Sequence, residues 1–385
     1  TGDAMSRRRL NNYGPMAVFV GSALLLGCSW GQAKPTWIDG VSPDYPSGQY
    51  LTGVGQADNR SAAEDRAYAA LARIFKAEVS AQSKDWESYL VVEQRGTSHD
   101  ERRLALDQLT RVSTDKVLEN AKIVDRWYDA KKHLYYALGG MQRAQAETAL
   151  MERMTDLDHS IQSDVAEAHE TSDKLAKVRA LKRATRNLVL RETYNADLRV
   201  IRASGQGTAA TYRVADLTRE LDEYLSSNLV LAVSVIGDQV EPVQHALTEG
   251  LIKEGLRVAT MSPATEGALN PELLIRGMVR VWPIDVRDPQ FIYVRWCSDF
   301  EVVNVAGQQI VGAISKGGKE GHLSEREATA KVIRVMQQDF STDVAKAIAA
   351  HIYGESELPA EAIRPAGCPR EGVRGKPAAA VHQPY

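Results

Sequence analysis

Tyr50-Leu51-Thr52-Gly53-Val54-Gly55, followed by Ser61-Ala62-Ala63-Glu64, is the stretch that decides the fold. Its first part is short and β-prone, with glycine punctuation at the end. Its second part has the form of a capping box, a hydroxyl three residues ahead of a carboxylate, and opens a helix. Ala67, Leu71, Ile74, Phe75 and Val79 then recur at helical spacing, with Glu64, Asp65, Arg73 and Lys76 on the other side. Strand, glycine turn and helix in this order also invite comparison with a dinucleotide-binding turn. That motif needs a third small residue at position 58, where Asp58 would set a carboxylate against the pyrophosphate. The turn therefore reads as one that lets strand and helix meet closely.

Downstream, Trp86 to Glu93 reads as a strand and Asp100 to Val112 as a short helix. Val117 to Tyr128 and His133 to Leu138 read as a hairpin around Asp129-Ala130-Lys131-Lys132. A strand, a helix and then mainly antiparallel strands make an α+β unit over residues 49–141. Trp86, Tyr89, Trp127, Tyr128, Tyr135 and Tyr136 cluster in its strands; by alternation half point inward, and the rest offer a sheet face for protein contact.

Upstream lies a leader. Arg7, Arg8 and Arg9 precede Met16 to Gly27, an apolar run too short to span a bilayer. Thr1 to Ala4, ahead of Met5, read as a vector scar or a misplaced start, and Ser6-Arg7-Arg8-Arg9-Leu10 partly matches a twin-arginine signal. The run ends Leu25-Leu26-Gly27-Cys28, which resembles a bacterial lipobox. The resemblance implies a diacylglyceryl thioether on Cys28, cleavage before it and acylation of the new N-terminus. Ser29 follows rather than Asp, which implies sorting to the outer membrane. Residues 1–27 are thus expected to be a signal peptide, and 28–48, rich in Gly, Pro, Ser and Trp, a tether.

Pro35-x-Trp37, Tyr50 to Gly55 with Ala57, the Ala-rich helix and Tyr136-Ala137-Leu138 resemble the LPP-twenty lipoprotein family, and also the N-terminal domain of flagellar H-ring assembly proteins. The resemblance covers residues 35–150. It implies a small sheet-on-helix domain in an envelope protein without a catalytic site.

Residues 141–204 contain neither Gly nor Pro. Leu150, Met154, Leu157, Ile161 and Val165 recur at spacings of three and four, as do Leu175, Val178, Leu181 and Leu188. Such stripes predict an amphipathic helix or helix pair. Thr171-Ser172-Asp173 caps a second helix, which gives a connector over 142–203 that stands away from the globular parts; the alternative is a helix lying across the body.

Over 212–353 helices and strands alternate. Tyr212 to Ser226 reads as helix, Leu229 to Ile236 as a strand covered on both faces, and Glu241 to Glu254 as helix. Arg257 to Met261, Pro271 to Pro283, Gln290 to Val305 and Gln309 to Ser315 read as strands. Ser324-Glu325-Arg326-Glu327 opens a long helix with Ala328, Val332, Val335, Met336, Phe340, Val344 and Ile348 on one face. This second domain is similar in layout to the TolB amino-terminal domain and to CsgG-like domains, by element order alone. Prolines 359, 365, 369, 377 and 384 make 354–385 read as a disordered tail.

Little in the chain carries chemistry. Lys316 to His322 superficially suggests a phosphate cradle, but it lacks the GKS or GKT ending and reads as a polar connector. No two histidines have zinc spacing, and His159 and His169 sit among carboxylates on the helical segment. Carboxylate pairs on helices are indistinguishable here from surface charge. Cys297 and Cys368, 71 positions apart, either form a disulfide worth about 4 kcal/mol or remain a buried thiol and a free one. The 385 residues carry net charge −3; three Arg and one Asp lie in the leader, so its removal leaves −5, which argues against nucleic-acid binding. The expectation is a non-enzymatic outer-membrane lipoprotein on the periplasmic face, without cofactor or metal. Its partners are the membrane through Cys28 and envelope proteins, and self-association is left open. A hydrolase or ligand carrier is the rival, and it requires a concave pocket with convergent polar groups.

Overall fold

A computed structural model describes residues 33–82, 108, 111, 113, 115–259, 271–286 and 288–369. The expected strand over 86–93 lies outside these residues, as does nearly all of the helix expected over 100–112. Cys28 and the leader lie outside them as well.

The fold is α+β, with two sheets joined by a pair of helices. In the first sheet β1 (Tyr50–Ala57), β2 (Ala121–Asp129) and β3 (Leu134–Gln142) take the order β1-β3-β2, all antiparallel. Val117 belongs to a helical turn, so β2 starts four residues later than expected. Asp129 Oδ1 accepts the N–H groups of Lys131 and Lys132 and fixes the β2–β3 turn. Helix α1 (Arg60–Gln82) covers one face with Ala63, Ala67, Leu71, Phe75 and Val79, while Ile74 is 38% exposed. Its cap is Asn59, whose Oδ1 accepts the Ala62 N–H at 2.9 Å; Ser61 lies inside the helix, and the expected capping box gives way to an Asx cap two residues earlier.

Helices α2 (Arg143–Glu170) and α3 (Lys174–Ile201) form an antiparallel pair, with Asp173 capping α3 through the N–H groups of Leu175 and Ala176. The pair does not stand apart from the body. Sixteen of the 28 residues of α3 are buried, against six of 28 in α2. Toward its N-terminus α3 sends Val178 and Leu181 into the core of the second sheet; near its C-terminus Tyr194, Leu198 and Ile201 pack with Leu71, Phe75 and Met141 of the first. The alternative reading, a helix lying across the body, describes α3.

The second sheet follows α4 (Val214–Asn228). It contains β4 (Val230–Gly237), β5 (Arg257–Ala259), β6 (Leu273–Ile284), β7 (Ile292–Asn304) and β8 (Gln309–His322) in the order β5-β4-β6-β7-β8. β4 runs parallel to β5 and β6, and β6 to β8 are antiparallel. Lys316 to His322 is therefore the second half of a strand, not a connector. Its glycines are dictated by the packing beneath them: a Cβ at Gly318 would stand 2.8 Å from Trp296 Nε1, and one at Gly321 would stand 2.7 Å from the Tyr293 ring. Helices α5 (Val240–Lys253), α6 (Glu325–Asp339) and α7 (Ala345–Ile352) cover one face, a π-helical turn at Phe340–Val344 linking the last two. Trp296 and Phe300 of β7 meet Phe340 there, and Ser324 caps α6 through the Glu327 N–H.

Candidate functional site

Gly53, Val54 and Gly55 lie inside β1 rather than in the turn expected, and the backbone of α1 fills the space above the two glycines. A Cβ at Gly53 would stand 2.8 Å from the Ala67 carbonyl, and one at Gly55 still closer to that of Ala63. The space a pyrophosphate would occupy is taken by α1 itself, which is the close strand–helix approach expected from the sequence. Asp58 is exposed and accepts from Asn59.

The opposite face of this sheet is closed. Residues 33–48, read as a tether, include a 3₁₀ turn at Thr36–Asp39, and its Trp37 is buried against Tyr136 and Leu138. The indole N–H donates to Asp125 Oδ2 at 2.6 Å, and Tyr45 Oη donates to the Val124 carbonyl at 3.2 Å. The aromatic face expected to be open for protein contact is thus covered from within the chain. Trp127 and Tyr136 lie under this cover, while Tyr128 and Tyr135 stack at 4.5 Å with Tyr128 42% exposed.

The second sheet is also covered on its outer face. Arg295, Cys297 and Asp299 alternate away from the helices, and residues 355–369 lie over them as a strap. The Leu358 N–H donates to His351 Nδ1, and the Ala313 N–H donates to the Pro359 carbonyl at 2.7 Å. Arg364 pairs with Asp299 at 3.2 Å, Arg295 donates to the Ala366 carbonyl at 2.8 Å, and a disulfide joins Cys368 to Cys297. The stretch read as a disordered tail is fixed as far as Pro369. An open cleft of about 630 Å³ remains where the strap meets β6, lined by Asp238, Arg280, Trp282 and Cys368. Asp238 is engaged there by the Val281 N–H.

The charges missed by sequence reasoning lie on α3. Arg191 is fully buried and reaches Asp158 of α2 at 3.1 Å, Glu192 at 2.7 Å and the carbonyls of Thr208 and Ala209. Asp197 is fully buried; among the described residues the Ser113 hydroxyl is its one partner, and its Oδ1 is unpaired. Burial pushes its carboxyl up to about 7, against the opposing pull of Ser113. No signal in the sequence marked these charges, because charged residues on a helix ordinarily lie on its wet face.

Other candidates disperse. His159 is exposed on α2, and His169 pairs at the surface with Glu220. Among the described residues no cluster of His, Cys, Asp or Glu suits a metal ion, and no helix is long and apolar enough to cross a membrane.

Residues 35–142 match the LPP20 lipoprotein family. The match spans the first sheet, α1 and the Trp37 segment. No curated protein matches the chain. Among solved structures, the secreted protein HP1454 from Helicobacter pylori is 11% identical, covering 78% of this chain and 97% of its own, with a TM-score of 0.37. A minor lipoprotein from Acinetobacter baumannii is 11% identical, over 34% of this chain and 93% of its own, with a TM-score of 0.25. The PelC dodecamer from Paraburkholderia phytofirmans is 14% identical, over 30% and 85%, with a TM-score of 0.22. The LPP20 match is to lipoproteins and indicates no enzyme family.

Proposed function

We propose that the protein is an outer-membrane lipoprotein, moored through lipid on Cys28, whose two sheets face the periplasm and act by assembly rather than by catalysis. The observation that carries this reading is the position of the LPP20 match, which begins at residue 35, directly behind Leu25-Leu26-Gly27-Cys28. Each methylene of an acyl chain contributes about 0.8 kcal/mol of membrane affinity, so two or more chains on Cys28 hold firmly. The faces of both sheets are closed by the chain's own segments, an arrangement suited to presenting a surface rather than enclosing a substrate. The first specific role is a structural one in an envelope machine, the flagellar basal body before others, and regulation of a peptidoglycan synthase is the alternative. Palmitate labelling of wild type and Cys28→Ala, followed by membrane fractionation, tests the anchor. Label and outer-membrane association are expected in wild type alone; their persistence in the variant would overturn the assignment. Crosslinking in cells then separates basal-body proteins from a cell-wall synthase as neighbours.

A further inference from the structure

Among the described residues the second sheet ends on β8, with no strand against its far side. The Ala313 N–H points away from β7, because it donates to the Pro359 carbonyl. The register shift in the β7–β8 ladder lies before Ala313, at Val302/Val303. Backbone groups alternate sides along a strand, so Ser315, Gly317, Lys319 and Gly321 also turn their N–H and C=O outward. A row of this kind is a template for another strand unless it is blocked. No proline or bulge interrupts 314–322, and the strap leaves the edge after Pro359 for the outer face, where Cys368 meets Cys297.

Charge identifies the occupant. Lys316 and Glu320 share the helix-covered face, Lys316 with Asp343 at 3.1 Å and Glu320 with Lys331 at 2.8 Å. We propose that β8 pairs antiparallel with β8 of a second copy of this chain, about a two-fold axis through Gly318. That register sets Lys316 opposite Glu320 of the second copy, and Glu320 opposite its Lys316. Each row of charges then alternates: Asp343, Lys316, Glu320 of the second copy, Lys331 of the second copy. Two-fold centres at 316, 319 or 320 would put Lys against Lys or Glu against Glu, which is destabilising, and a centre at 317 would set every charge opposite a neutral residue. The ladder joins Ser315 to Gly321 and Gly317 to Lys319, each twice, for about eight hydrogen bonds. Leu323, 69% exposed, then lies just past the paired segment, beside the strap that occupies the edge at Ala313 of the second copy. The contact is isologous and closes on itself, so it yields a dimer rather than a fibre.

Light scattering on the size-fractionated, detergent-extracted full chain tests this. Wild type is expected as a dimer. Lys316→Glu and Glu320→Lys each create two like-charge pairs and are expected as monomers. An equimolar mixture of the two is expected to recover a heterodimer, in which every pair across the interface is again of opposite sign. Lys319→Pro, which deletes an N–H that points outward from the edge, is expected as a monomer. A monomeric wild type, single reversals that dimerise like wild type, or a mixture that stays monomeric while both variants melt like wild type would each overturn the proposal. Should the reversals fail to fold, a dimeric Lys319→Pro would overturn it alone.

Discussion

In the first sheet, the face away from the helix is closed by one buried tryptophan from the chain's N-terminal side, hydrogen bonded to Asp125. In the second, the face away from the helices is closed from the C-terminal side by a polar strap with a disulfide, an ion pair and backbone bonds. The difference follows from what each face offers. Tyr136, Leu138 and Trp127 give Trp37 an apolar seat, and burial alone holds it. Arg295, Cys297 and Asp299 give the strap no such seat, so partners must be supplied one by one. Neither cover was legible in the sequence: Trp37 sits in a Gly-, Pro- and Ser-rich stretch that reads as a tether, and each contact of the strap looks like surface charge.

Four substitutions or conditions would break or sharpen this contrast. Trp37→Ala should cost about 3–5 kcal/mol, since it removes the only large buried side chain of its segment. Urea unfolding with hydrogen exchange should place that loss in the first sheet. Reducing the disulfide, or Cys297→Ser with Cys368→Ser, should cost about 2–4 kcal/mol. Exchange should then quicken in the strap and β8 and leave β1 to β3 unchanged.

Asp197→Asn acts on the helix between the two sheets. The folded carboxyl titrates near 7 and the unfolded one near its ordinary value. Between those values the folded state alone holds the proton, so wild-type stability falls as pH rises through this window and levels off above it. The Asn variant should lose that slope and be the more stable protein at pH 8, as read by urea titrations across pH.

The smallest effect belongs to His351. Burial, then the nearby Arg179, holds its pKa below the usual imidazole value, against the Ser356 and Val311 carbonyls and Glu357. The unfolded chain takes up its proton first on acidification. The contribution of this histidine is therefore complete above about 6.5 and is lost as pH falls through the folded pKa. Protonation also removes the Nδ1 acceptor of the Leu358 N–H, so the start of the strap should lose exchange protection as pH falls through the folded pKa while Trp37 stays protected.

The kind of residue at each place explains what else the sequence disclosed. Helix α1, its buried stripe and the close Gly53–Gly55 approach were legible because small residues at that spacing have few other uses. The order of strands β4 to β8 followed from apolar runs and turns. The end of β8 was hidden because Gly317, Gly318 and Gly321 mimic a loop, whereas Trp296 and Tyr293 beneath them require glycine. Fixing of residues 355–369 was hidden because proline forbids regular elements but not order through side chains and a disulfide. The burial of α3 was masked by Lys182, Arg191 and Asp197, charges that ordinarily mark a wet face.

Mooring by a fatty-acylated thiol is the premise on which the periplasmic, non-enzymatic role depends. Mass spectrometry of the N-terminal peptide from membrane-purified protein measures it most directly. The account predicts a mature chain that starts at Cys28 with diacylglycerol on its Sγ and an acyl group on its amine. An unmodified Cys28 peptide recovered from the soluble fraction, or a leader still attached, would contradict it.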